Sequence, residues 1–136
     1  MITGITPYLN FDRCEDALNF YVKALGAEIK SMMRVSDGPK EYQSPENNDK
    51  IMHATLAIGD QVTIMASDAM GQDITPGKNM SLSLNFDNAD VCRKAWDNMK
   101  EEAHIIMDLQ ATFWAPQFGM LQDKYGINWM FNCDNQ

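Results

Sequence analysis

The chain has no apolar run approaching the roughly 18 residues that a membrane-spanning helix requires. Its opening, MITGITPYLNFD, lacks a basic segment followed by an apolar core, so no secretory signal is expected. Together these predict a cytoplasmic protein with no membrane partner. Cysteine is scarce. Cys14, Cys92 and Cys133 are odd in number and show no CxxC spacing, which argues against a disulfide frame or a thiolate zinc centre. Positive charge is also short: 11 Lys and Arg stand against 19 Asp and Glu, for a net charge of −8. The basic residues are scattered, whereas a phosphate backbone needs them clustered, so no nucleic-acid partner is expected. No glycine-rich GxGxG turn follows a strand-like segment, and MASDA (Met65–Ala69) lacks the flanking glycines of a nucleophile elbow.

What is present is enough for a packed interior. Apolar residues make up 45% of 136, sufficient for one domain or for two small modules. Eleven methionines can fill irregular core gaps or line an adaptable pocket. The tetrapeptide LNFD occurs at Leu9–Asp12 and again at Leu84–Asp87. Before the first copy, Ile5, Pro7, Leu9 and Phe11 alternate with Thr6, Tyr8 and Asn10, the period of a strand. After it, Asp12 with Glu15 three residues on has capping-box spacing, and Ala17, Phe20, Tyr21, Ala24 and Leu25 form a helical stripe ended by Gly26. A strand (AEIKSMMRV), a polar loop over Ser36–Lys50 long enough to be mobile, and a hairpin turning at Gly59-Asp60 complete the first half. The second half repeats the order. MSLSLNF alternates, Asp87 with Asp90 opens a helix, and Val91, Ala95, Trp96 and Met99 form its stripe. HIIMDLQATFW reads as a strand, and QFGMLQDKYGINWMFN as a hairpin. Each half is therefore expected to run strand, helix, strand, strand, strand, with modules at about 1–70 and 71–136.

A duplicated βαβββ unit of this size resembles the vicinal oxygen chelate superfamily, which includes glyoxalase I, bleomycin-resistance proteins and extradiol dioxygenases. The segments TPYLNF with ALNFYVKALGAE, IMHATLAIGDQVTIMASD and WAPQFGMLQDKYGINWMFN resemble its PhnB-like branch, whose members often carry a demethylubiquinone methyltransferase label. The resemblance implies an α+β fold in which two βαβββ modules make an open, cup-shaped mixed sheet with helices outside, usually as a homodimer. A link to phosphonate chemistry is only hinted at, since no basic cluster accompanies it. The absent glycine-rich turn argues against a methyl-donor site. In metal-using relatives the ligands lie on the first and last strands of each module. The resemblance carries those positions to Thr6, Thr63, Ser81 and Met130, which lack the His, Glu, Asp or Gln donors of a divalent site. No metal and no cofactor are expected.

Alternation places Thr6, Tyr8, Asn10, Ser81, Ser83 and Asn85 on the cup face, with Ile5, Leu9, Phe11, Leu82, Leu84 and Phe86 beneath the helices. His53 shares the cup face with Thr55 and Ala57, and a hydrogen-bonded core or edge role competes there with a substrate-facing one. Met130 joins the walls. His104, after KEEA, reads as a structural residue at a helix end. Asp68 and Asp123 read as turn or strand-end residues. Core packing accounts for most of Trp114, Phe113, Phe118 and Trp129, though an aromatic rim is also how a cup grips a flat apolar ligand. The expected function is metal-free binding of a small, partly apolar molecule. Two alternatives stay open: a glyoxalase-type lyase, isomerase or related enzyme with an atypical site using His53 or Tyr8, and a structural protein whose cup is filled by side chains.

Overall fold

The computed structural model describes residues 1–60 and 62–134. They form two compact units, Met1–Ile74 and Thr75–Gln136. In the first unit β1 (Tyr8–Phe11) leads to α1 (Cys14–Leu25), then β2 (Glu28–Arg34), β3 (Ile51–Ile58) and β4 (Val62–Asp68). The strands lie in the order β1-β4-β3-β2. β1 runs parallel to β4, with Leu9 opposite Ala66, while the other neighbours are antiparallel. The second unit runs β5 (Leu82–Phe86), α2 (Ala89–Met99), β6 (His104–Gln110), β7 (Gln117–Gln122) and β8 (Asn128–Cys133). Its order is β5-β8-β7-β6, again with first and last strands parallel. Each half is a βαβββ unit, and the class is α+β with two four-stranded mixed sheets and no closed barrel.

Alternation and helical period meet on one face of each sheet. In the first unit Cys14, Ala17, Leu18, Tyr21 and Ala24 of α1 are buried, together with Phe11, Ala54, Leu56, Ile64 and Ala66 of the strands. Gly26 closes α1 at φ 69°, a left-handed conformation natural to glycine; its N–H donates to the Val22 carbonyl at 3.1 Å and the Ala27 N–H to that of Tyr21 at 3.4 Å. In the second unit the Trp96 ring meets Phe131 edge-on at 5.1 Å, above buried Leu121, Trp129 and Cys133. Aromatic pairs of this geometry add roughly 0.5–1.5 kcal/mol to plain burial.

Several expectations shift. Strand β1 begins only at Tyr8, so Ile5 is 97% exposed and is no part of the core. Phe20 and Leu25 are half-buried, and Cys14 and Leu18 take their place in the α1 stripe. Val91 is exposed and Cys92 is buried in its stead, while Ala95, Trp96 and Met99 are buried as expected. Neither Asp12 nor Asp87 caps a helix. Asn88 caps α2, its side chain accepting from Val91 N at 3.0 Å. At α1 the N-cap residue is Arg13, which makes no such bond. The acceptor comes from the end of the neighbouring strand β4, distant only in sequence: Asp68 Oδ1 receives the Cys14 N–H at 2.8 Å, and its Oδ2 receives Ile51 N–H at 2.7 Å. The segment 36–50 is built of short turns rather than open loop. It contains 3-10 turns at Val35–Asp37 and Lys40–Tyr42, and Ser36 N–H donates to Asn48 O. Arg34 fastens it, donating to Glu15 at 2.6 Å and to the Asp49 carbonyl at 2.9 Å. His104 is the first residue of β6, several residues beyond the end of α2.

Candidate functional site

The sheet face opposite each helix carries the polar residues. In the first unit, cross-strand pairing sets Tyr8 beside Met65 and Met65 beside Thr55; Asn10 lies beside Ser67, and His53 beside Met33 on β2. Tyr8 is 46% exposed, and its hydroxyl lies 3.4 Å from His53 Nδ1, with ring centroids 5.8 Å apart. The Ser67 hydroxyl donates to Asn10 Oδ1 at 3.3 Å. In the second unit one row reads Ser83, Met130, Met120, Met107 across the four strands, and the next reads Asn85, Asn132, Phe118, Gln110.

Of the eight residues singled out in the sequence, the first unit brings Tyr8, Asn10 and His53 onto one face. The second unit does the same for Ser83, Asn85 and Met130. Thr6 and Ser81 are exposed and lie just outside their strands. Ser67, Asn132 and Met65 join these faces without having been singled out; alternation within β4 and β8 was the available signal. The repeat correspondence also changes. Tyr8 stands opposite Met65 as Ser83 stands opposite Met130. The counterpart of Met130 is therefore Met65 and not Thr63, whose place across the hairpin matches Asn128. Hydroxyls and thioethers at these positions are poor partners for a hard or borderline divalent ion. Among the described residues no group of three or more His, Cys, Asp or Glu could hold a metal.

Two buried acidic side chains organise backbone. Asp68 joins α1 to β3 as described. Asp123 Oδ1 accepts from Tyr125 N and Ile127 N, and Oδ2 from Trp129 Nε1 at 2.8 Å, which shapes the β7–β8 turn. The thiols are buried as well. Desolvation, then the Asp68 charge, pushes Cys14 from 9.0 up to about 12. Desolvation, then Cys133, pushes Cys92 up to about 11. A thiol is nucleophilic as thiolate, so neither is a catalytic candidate. Native protein at pH 8 should resist iodoacetamide at both positions and react fully in denaturant, as mass spectrometry would show. Rapid native alkylation of Cys14 would refute the burial argument. Stability follows with a definite sign. Above 9.0 the unfolded chain releases these protons while the folded one retains them. Their contribution is thus complete below that pH and falls as pH rises towards 12. In urea titrations Cys14→Ala should flatten this alkaline loss; an unchanged slope would assign it to other groups.

Paired βαβββ units, each with parallel first and last strands and one helix, define the glyoxalase/bleomycin-resistance fold. A structure described as a glyoxylase/bleomycin resistance protein/dioxygenase domain from Frankia sp. EAN1pec covers 99% of this chain and 100% of its own at TM-score 0.71; at 11% identity that is a likeness of fold alone. The chain belongs to the 3-demethylubiquinone-9 3-methyltransferase family, whose model matches residues 3–131. Protein YjdN of Escherichia coli K12 is 32% identical, over 97% of this chain and 96% of that one. Protein PA1353 from Pseudomonas aeruginosa is 34% identical at TM-score 0.87, covering 99% of this chain and all of its own. A putative 3-demethylubiquinone-9 3-methyltransferase, PhnB protein, from Bacillus cereus is 26% identical at TM-score 0.78, covering 96% and 99%.

The family's description implies a methyl-donor cofactor, and the residues here do not fit one. Both strand-to-helix turns, Asp12-Arg13 and Asp87-Asn88, lack glycine and carry a carboxylate. At the helix starts, amides that would greet a ligand are already taken: Cys14 N–H by Asp68 and Val91 N–H by Asn88. Among the described residues no helix is long and apolar enough to cross a membrane.

Proposed function

We propose that this chain is a metal-free binding protein for a small, partly apolar molecule, working in the cytoplasm as a homodimer. The observation that carries the reading is the chemistry of the faces opposite the helices. Tyr8, Asn10, His53, Ser83 and Asn85 offer neutral donors and acceptors, interleaved with Met65 and Met130. Polar groups sealed in an apolar interior without partners would each cost on the order of 1–3 kcal/mol. Tyr8, Asn10, Ser83 and Asn85 remain exposed, which suits water or a ligand. Thermal-shift screening against a metabolite panel tests this reading: at one hundred times its Kd a ligand should add about 2.7 kcal/mol of stability. Elemental analysis of protein expressed with supplemented metals should give well under one equivalent. Stoichiometric Zn, Ni, Mn or Fe, or a silent panel, would reject the reading. Sedimentation should find a species of twice the 15.4 kDa chain mass, and a monomer would remove the dimer from it.

The 3.4 Å contact of Tyr8 with His53 favours a second reading, an enzyme of glyoxalase type in which this pair moves a proton. It requires turnover that Tyr8→Phe and His53→Ala each reduce at least tenfold with unchanged thermal stability.

Ser81 separates an open site from tight packing. It is exposed just before β5, so Ser81→Leu should change stability by no more than about 0.5 kcal/mol. A loss of several kcal/mol in denaturant titration would place the serine in packed contacts.

A further inference from the structure

At the carboxyl ends of β5 and β8 the second unit opens a recess of about 420 Å³, lined by Asn85, Phe86, Asp87 and Asp134. That volume lies in the ordinary range for a small-molecule site. None of the four residues is a base, and two of them are carboxylates. Strand pairing explains why they meet. Asn85 lies opposite Asn132 and Phe86 opposite Cys133, so Asp87 and Asp134 follow on from adjacent parallel strands. The Asn132 amide donates to Asp134 Oδ1 at 3.0 Å, which holds that carboxylate at the rim. Phe86 supplies an aromatic wall. It is half-buried, its ring lies parallel to that of Phe131 at 5.9 Å, and it also borders the recess. The positive end of α2, which begins just beyond Asp87, is itself answered. Asn88 accepts from Val91 N, and Asp90 adds a carboxylate in the first turn.

An anion in this recess would meet charge of its own sign. A neutral molecule would strip water from the carboxylates and return nothing for it. A cation is attracted by both, and 19 acidic residues against 11 basic ones favour its approach. The wall decides which kind of cation. A calcium ion takes about six to eight oxygen ligands, and a phenyl ring supplies none. An alkylated ammonium is attracted by a carboxylate and by the face of an aromatic ring alike. The same side of the sheet also provides for an apolar tail. Two residues before Asn132, or about 7 Å along β8, Met130 begins a half-buried row that continues through Met120 and Met107. Thioethers on flexible stems adapt to an alkyl chain of varied shape.

We propose that the second unit binds an alkylated ammonium ion, with its head in the recess among Phe86, Asp87 and Asp134 and its chain along Met130 and Met120. This rests on the binding reading above and adds the place and the chemistry of the occupant.

NMR of the full chain, following backbone amides and methionine methyls, tests it with choline, its uncharged isostere 3,3-dimethyl-1-butanol, hexyltrimethylammonium and hexanoate. Choline should shift the Phe86, Asp87 and Asp134 amides. Hexyltrimethylammonium should shift these and the Met130 and Met120 methyls as well. The alcohol should bind at least tenfold more weakly than choline, and hexanoate at least tenfold more weakly than hexyltrimethylammonium. Asp87→Asn and Asp134→Asn, both at exposed positions, should each weaken hexyltrimethylammonium at least threefold. Met130→Gln should weaken hexyltrimethylammonium and leave choline unchanged. Equal or tighter binding of the alcohol or of hexanoate overturns the cationic class. Shifts confined to other residues, or unaltered affinity in both aspartate variants, overturn the location. The same amide shifts produced by calcium at a lower concentration than choline would make this an inorganic site and also overturn the proposal. If none of the four probes binds while the metabolite panel still stabilises the protein, this site fails and the binding reading stands; if the panel is silent too, both fail.

Discussion

Asp68→Ala is expected to destabilise the protein by about 3–5 kcal/mol, the larger of the two strongest effects foreseen. The carboxylate is buried and accepts two backbone N–H bonds, from Cys14 at 2.8 Å and Ile51 at 2.7 Å. Removing it strands both donors. A hydrogen bond to a charged group contributes roughly 1.5–3 kcal/mol, and an unpaired buried donor costs a similar amount. The helix also loses the negative charge at its N-terminus, worth about 0.3–1 kcal/mol. Asp68→Asn keeps one acceptor oxygen and should cost about half as much. Asp12→Ala should cost under about 0.5 kcal/mol, because Asp12 is exposed and caps nothing. Urea unfolding with an unchanged m-value measures all three. The argument is wrong if Asp12→Ala proves the more damaging, since the cap would then be local after all.

Gly119→Ala should cost about 2–3 kcal/mol, although it adds one methyl group. A Cβ built there would sit 2.8 Å from Trp96 Cζ3 and 3.0 Å from its Cη2, with the Leu109 backbone 3.0 Å away as well. Trp96 is fully buried and already edge-on to Phe131, so neither neighbour yields cheaply. Overpacking of this kind costs roughly 1–3 kcal/mol. In a Trp96→Phe background the smaller ring leaves room, and the same substitution should cost at least about 1 kcal/mol less. Gly77→Ala is the control. Its nearest neighbour would be Asn79 Oδ1 at 3.7 Å, so stability should scarcely change. Strict additivity of Gly119→Ala and Trp96→Phe would mean that the clash is relieved elsewhere.

Much of the fold was legible in the residues because period and punctuation are local. Alternation in YLNF and LSLNF, the apolar spacing from Ala17 to Ala24 and Gly26 at a helix end mark elements with no knowledge of their neighbours. The doubled LNFD made the two halves comparable. Local rules failed where the deciding partner is distant. Asp12 and Asp87 had cap spacing, yet α1 takes its cap from Asp68, which lies 54 positions from Cys14. Asn88 stands one residue beyond Asp87, and only backbone geometry at the helix start chose between them. Val91 lost its place to Cys92, which stands three, four and seven residues before Ala95, Trp96 and Met99 and so shares their face, whereas Val91 lies to one side of it.

The candidate site divides along the same line. Alternation by itself told which residues of a strand share a face, since a side chain on a pleated strand has only two sides to occupy. That sufficed for Tyr8 with Asn10 and for Ser83 with Asn85. Which residues stand beside them is a question of register, and register is set by pairing between strands distant in sequence. Tertiary structure alone placed Met65 opposite Tyr8, brought the Tyr8 hydroxyl to His53, and lined up Phe118, Asn132 and Asn85 in one row. The exposure of Trp114 was decided the same way. Composition supplies the aromatic, and the Thr112–Ala115 turn, bonded across its own backbone, determines that it faces water.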